Sequence, residues 1–277
     1  MNHNDLYQML EIPVEVVEQL NKYENERTFQ LPDELQNRLL SRTDWDEAVK
    51  ELQGFMGEDT YSFKLLFEML DLVCRYSYPK YKEMGISDDI FVATMKFIDR
   101  FLEWHYEYHG EYKFTQGVWV PRQISCIEFR VGALEYELVE GETREIAVHI
   151  PSDAKFDRAA VLESLKEFVV FRDTYFPEWK GVPFTCETWM LAPAMEELLD
   201  ETSNVLAFKH LFELDSFDTE ATWFMGFIYP GHSGEYETLP EKTSLQKKAK
   251  DMLLSGKKIG TAKGHIKEEI LQAIGGR

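Results

Sequence analysis

The spacing of the apolar residues changes once along this chain, just after Gly117, and that change restricts it to folds in which a helical region precedes a sheet. Up to about residue 110 the pattern is helical. Leu66, Met69, Leu70 and Val73 recur at helix spacing over 61–76, and Phe91, Met95, Ile98 and Leu102 do so over 89–108. Shorter helices are predicted at 13–22, 32–40 and 44–53. The second opens on Pro32 with Asp33 and Glu34 facing the positive end of the dipole, and the third closes on Gly54. These elements predict a small helical bundle.

Beyond Gly117 the period falls to two. Ile127, Phe129 and Val131, then Leu134, Tyr136 and Leu138, then Ile146, Val148 and Ile150 alternate with polar residues, with Gly132 and Gly141 between the runs. A three-stranded antiparallel meander is expected there. Asp157 is placed to cap a helix running to about Tyr175, where Pro177 stops it. A strand over 182–190, a short helix over 193–199 and two strands over 205–214 and 222–229 are expected next. Thr243 and Gln246 fit a capping box that opens a helix to Ser255, and Gly256 ends it. The fold class is therefore α+β, an N-terminal helical bundle followed by a mixed sheet flanked by helices.

Length agrees with two cores, since 277 residues exceed the roughly 100–150 of a typical domain. The boundary is expected near 115, giving a helical domain over 1–115 and a second domain over 116–277. Thirty Lys and Arg stand against 50 Asp and Glu, a net charge of −20 that repels nucleic-acid backbones and anionic lipid. Neither nucleic acid nor membrane is an expected partner. With no leader-like opening stretch and no long apolar run, a cytoplasmic location is expected. Cys74, Cys126 and Cys186 are odd in number and widely spaced, which suits reduced, buried thiols. The sequence leaves oligomeric state open.

Four segments carry a more specific signal: Phe129-Arg130-Val131-Gly132-Ala133-Leu134-Glu135-Tyr136-Glu137, His149-Ile150-Pro151, Cys186-Glu187-Thr188-Trp189-Met190-Leu191, and Leu239-Pro240 followed by Thr243, Leu245 and Gln246. In that order they resemble a family of bacterial proteins with an N-terminal helical N-acyltransferase domain and a GNAT-like C-terminal acyltransferase domain. The resemblance spans nearly the whole chain. It implies a GNAT-like mixed sheet in which the fourth strand, its helix and the fifth strand take an acyl-CoA co-substrate, and an enzyme that passes the acyl group to the amine of a small acceptor. The chain departs from ordinary GNAT enzymes in the loop Pro151-Ser152-Asp153-Ala154-Lys155-Phe156, which contains no glycine. A non-catalytic GNAT-like module that binds a small molecule or a protein is the alternative that this departure keeps open.

Under the resemblance, His149 is the expected general base, because an imidazole titrates near neutrality. Glu128 is expected to assist, and Cys186 to act as a thiol acid or covalent acceptor. Ile150, Ser152, Lys155 and Arg158 are expected along the CoA diphosphate, and Glu135 and Trp189 at the substrate. Each has a plainer structural role open to it: a strand-end histidine bonded to a carbonyl, acids on a solvated face, a buried structural thiol, a core tryptophan, surface charges. His105 and His109 stand at the i, i+4 spacing of a helical metal pair with Glu107 between them. The glutamate is out of place for a His-Glu-x-x-His motif and no third ligand is apparent, so no metal is expected.

Overall fold

The computed structural model describes residues 1–41, 44–154, 156–232 and 235–275, and the chain divides into two compact units, Met1–Val131 and Gly132–Arg277.

The first unit is helical apart from one strand. Its helices are α1 His3–Leu10, α2 Val14–Glu26, α3 Asp33–Leu39, α4 Trp45–Met56, α5 Phe63–Leu72, α6 Tyr78–Met84, α7 Asp88–Met95, α8 Phe97–His109 and α9 Pro121–Ile124, followed by β1 Glu128–Val131. Every residue of α5 from Leu65 to Leu72 is buried, so this apolar helix is the centre of the bundle. Both long helical stretches read from the sequence are interrupted. One passes through a π turn at Val73–Ser77 into α6, and the other breaks at Lys96 between α7 and α8. The main-chain N–H of Arg130 in β1 donates to Thr94 Oγ1 in α7 at 2.9 Å.

In the second unit the elements are β2 Leu134–Val139, β3 Glu145–His149, α10 Arg158–Tyr175, β4 Phe184–Thr188, α11 Met195–Leu198, α12 Asn204–Lys209, β5 Phe212–Asp218, α13 Phe224–Ile228, α14 Ser244–Leu254, β6 Thr261–Ile266 and α15 Glu268–Ala273. Strands β2, β3, β4, β6 and β5 lie side by side in that order. β2 and β3 are antiparallel, β3 and β4 parallel, and β6 runs antiparallel to both β4 and β5. The parallel pair needs a crossover, which α10 supplies.

Register assigns the side chains to faces. Leu134, Tyr136 and Leu138 share one face with Ile146, Val148, Phe184 and Cys186, and all are buried. α10 covers that face. Tyr136 stacks on Phe168 with ring centroids 3.9 Å apart, and its hydroxyl lies 2.9 Å from Ser164 Oγ. Gly132 permits the approach. It has φ +64°, and a Cβ there would come within 3.1 Å of the Ser164 Cα. A second apolar cluster gathers Trp189, Met195, Leu198, Leu206, Phe224, Ile228, Tyr229 and Leu239 around the inner face of α14.

The expected strands over 205–214 and 222–229 are corrected here. Ser203 caps a helix, its Oγ accepting the Val205 N–H at 3.2 Å, and only Phe212–Asp218 is extended. In 222–229 the buried pair Phe224 and Ile228 repeats at i, i+4 while Trp223 and Phe227 face outward, a one-sided helical pattern that a short apolar run conceals. The last strand of the sheet is β6, from the segment that carried no sequence assignment. The Thr243–Gln246 cap is present as expected, with Thr243 Oγ1 accepting the Gln246 N–H at 3.1 Å.

Candidate functional site

The face of the sheet opposite α10 is polar, although it is partly buried. By register it carries Glu135 and Glu137 of β2, Glu145, Ala147 and His149 of β3, Thr185 and Glu187 of β4, and Lys263 and His265 of β6. An alternation of apolar and polar residues, one set to each face, was expected from the sequence. What the fold adds is that Glu135 and Glu137 are only 5% and 8% exposed. Carboxylates seldom go that far from water without partners.

His149 supplies one. It is the last residue of β3, lies directly across the ladder from Glu135, and places its Nε2 3.0 Å from Glu137 Oε2. With Glu137 ionised, Nε2 donates to it and the basic nitrogen of the neutral ring is Nδ1. A quarter of the His149 side-chain surface remains open, enough to meet a reactant. On the same face Glu145 and Lys263 form an ion pair at 2.6 Å, and Asp215 Oδ1 lies 2.7 Å from His265 Nδ1.

The second element of the site is an opening in the sheet. β3 and β4 pair only at Ile146 with Phe184 and Ala147 with Thr185. Past those positions each strand continues, β3 through His149 and β4 through Thr188, with no further pairing between them among the described residues. The carboxyl ends of parallel strands that part in this way form a crevice, the usual ligand position in open α/β sheets. The chain leaves β3 through a tight turn in which the Ala154 N–H donates to the Pro151 carbonyl at 3.0 Å, and then enters α10. Asp157 caps that helix, its Oδ1 accepting the Ala160 N–H at 3.0 Å.

The remaining expected site residues are distributed as follows. Ile150 is half-buried at the end of β3, Ser152 is exposed in the turn, and Arg158 is the exposed first residue of α10, with Nη1 donating to the Ala207 carbonyl at 3.2 Å. Lys155 lies outside the described residues. Glu128 belongs to the first unit, where it is fully buried and accepts from Gln123 Nε2 at 2.9 Å. Cys186 requires correction as a thiol acid or acceptor. Register puts it on the α10 face, away from His149, and burial pushes its thiol up to about 12, so near neutral pH it is neither a thiolate nucleophile nor an acid strong enough to protonate a leaving thiolate. Trp189, directly after β4, is buried in the apolar cluster around α14.

His105 and His109 do not assemble a metal centre. The His105 ring is within 2.7 Å of the Glu111 carbonyl through Nδ1, the two rings pack with centroids 4.4 Å apart, and no third His, Cys, Asp or Glu donor joins them among the described residues. Glu137 was not anticipated. Its signal was available in Leu134-Glu135-Tyr136-Glu137-Leu138, where two acids alternate with large apolar residues on one strand.

Comparison with known proteins agrees with this architecture. Residues 1–126 match the model of an N-acyltransferase N-terminal domain, and residues 128–266 match that of a GNAT-like C-terminal domain. Similar solved structures include an acyltransferase in complex with decanoyl-CoA and teicoplanin, 22% identical, with a TM-score of 0.75 over 95% of this chain and 86% of that one. An acyltransferase variant in complex with octanoyl-CoA is 21% identical, with a TM-score of 0.75 over 95% and 87%. Another acyltransferase, in complex with decanoyl-CoA, is 19% identical, with a TM-score of 0.69 over 96% and 99%. No curated protein matches the sequence.

Proposed function

We propose that this chain, which belongs to the family defined by a GNAT-like C-terminal domain, moves an acyl group from an acyl-CoA thioester to an amine of a small acceptor. The observation that carries the reading is the position of His149, held by Glu137 on the polar face at the end of the strand that parts from β4. That is where a thioester laid into the opening would present its carbonyl. The ligands of the similar structures, acyl-CoAs and in one case teicoplanin, support acyl-CoA as donor and a small molecule as acceptor.

The chemistry asks for three things. The acceptor amine attacks the thioester carbon, forming a C–N bond, and its proton passes to His149. A carboxylate at Nε2 favours that transfer by steadying the imidazolium that results. The carbonyl oxygen, negative in the tetrahedral intermediate, needs donors, which main-chain N–H groups along the parted strands can supply. The C–S bond then breaks, and the departing thiolate takes a proton from the imidazolium or from water. Glu135, across the ladder from His149, offers a carboxylate to the incoming ammonium before it loses its proton. At the far end of the donor, Ser152 and Arg158 lie where the diphosphate would reach the start of α10.

The loop into α10 favours a second reading, a binding module without turnover, because Pro151 offers no N–H and Asp157 already occupies the helix cap. Calorimetry with acetyl-, octanoyl- and decanoyl-CoA separates the two. Binding at micromolar concentration, together with acylated product from a panel of amines, is the expected result. No heat at millimolar ligand and no product would discard the transferase.

A further inference from the structure

We propose that the outer edge of β5 receives an extended segment of another protein in which basic and apolar residues alternate, adding a strand to the sheet. β5 ends the sheet, and its outer side pairs with no strand among the described residues. Six consecutive residues, Glu213 to Asp218, are exposed, so both faces of the strand and its free edge are open to water. A seven-residue strand left in this state is a template for pairing, and its acids and the irregularity between Leu214 and Ser216 discourage indiscriminate partners, so that a complementary charge is needed to join it. The strand has no lysine or proline.

The side chains specify what would pair there. The register shift between Leu214 and Ser216 changes the alternation, so that Leu214, opposite Gly264, and Phe217, opposite Ala262, fall on the same face. They are 39% and 62% exposed. Glu213, opposite His265, and Asp218, opposite Thr261, fall on the other face, and Asp215 joins them through its bond to His265. One face of the edge is therefore apolar and the other acidic. From Phe212 to Glu220 there are four acids and no lysine or arginine. His265 and Lys258 engage some of these acids, at Asp215 and Glu220, but the strand keeps a negative excess. A second copy of β5 laid antiparallel against this edge would set acid against acid, which is destabilising in a sheet. The complementary occupant is a strand with lysine or arginine on one side and β-branched or aromatic residues on the other. Gly264 keeps the base of this edge tight, since a Cβ there would lie 2.6 Å from the Glu213 carbonyl oxygen.

The full-length protein can be titrated with an acetylated, amidated peptide of alternating lysine and valine, followed by fluorescence anisotropy and hydrogen exchange. Saturable binding, with protection gained over residues 212–218, is expected. The same peptide methylated at every amide nitrogen keeps its charge but cannot join a ladder, and should bind at least tenfold more weakly. A peptide with glutamate in place of lysine should not bind, and Phe217→Ser should weaken the parent peptide at least threefold. Equal binding of the methylated and parent peptides would reduce the effect to charge alone and overturn the proposal. So would absence of saturation at millimolar peptide, or a concentration-dependent dimer abolished by Phe217→Glu, which would assign the edge to a second copy.

Discussion

In the proposed reaction His149 and Glu137 act as a pair, held together by the hydrogen bond between His149 Nε2 and Glu137 Oε2, and their roles separate by experiment. His149→Ala should lower kcat by about 10²–10⁴ with the KM for acyl-CoA little changed, as for loss of a general base. Glu137→Gln keeps the shape and hydrogen-bonding capacity but removes the charge that steadies the imidazolium. Its expected effect is a smaller loss together with a shift of the rising limb of the pH–rate profile to lower pH, because His149 becomes a weaker base. A Glu137→Gln enzyme with an unchanged profile would reduce Glu137 to a spacer. Cys186 provides the contrasting case. Buried, on the opposite face and with its thiol pushed up to about 12, it should tolerate Cys186→Ala with kcat within about threefold. It should also resist a thiol reagent at pH 8 until the protein is denatured. His149 was legible in the sequence because a strand end is visible as the close of an alternation. Its partner was not, because the choice between Glu135 and Glu137 depends on the β2–β3 register.

At the scale of elements, α1 is attached by a charged contact. His3 Nδ1 lies 2.8 Å from Glu24 on α2, and its Nε2 lies 3.1 Å from Asp71 on α5, which also accepts from Arg75 Nε at 2.7 Å. The hydrogen bond with Asp71 is the largest influence on His3 and, with Glu24, raises it above its ordinary value against the opposing effect of burial. A folded-state pKa above the unfolded one means that the contribution is complete below about pH 6.5 and is lost as pH rises through the folded value. Wild type should therefore exceed His3→Gln in Tm by roughly 1–3 °C near pH 5.5, and the gap should close at higher pH. A gap that widens with pH would contradict this. Element type was legible wherever caps and long periodic runs agree, as at Asp157 and Thr243. It failed at 205–214 and 222–229, where four or five apolar residues fit helix or strand equally and the neighbours decide. It failed also at β6, whose Ala262 and Gly264 are too small to register as an apolar alternation.

Across the whole molecule the net charge of −20 repels an anion before any contact is made, and the proposed acyl-CoA donor is such an anion. At about 0.01 M salt the field extends roughly 30 Å, and at 0.15 M about 8 Å. Screening should consequently raise kcat/KM for acyl-CoA by about twofold or more between those concentrations, with kcat nearly constant. A fall over the same range would mean that local cations near α10 outweigh the global charge. No helix among the described residues is long and apolar enough to cross a membrane. By itself the sequence determined the α+β class, the order of helices before strands, the first hairpin of the sheet, the long helix on its apolar face and the strand end that carries His149. Periodicity, caps and breakers are local, and they state which face of each element must be buried. Only the tertiary structure decided which strands are neighbours, that β3 and β4 part after two pairs, that Glu137 and not Cys186 shares the face of His149, and that β5 ends the sheet. Those outcomes depend on pairing between residues distant along the chain, and a period of two gives each strand its faces but not its partner.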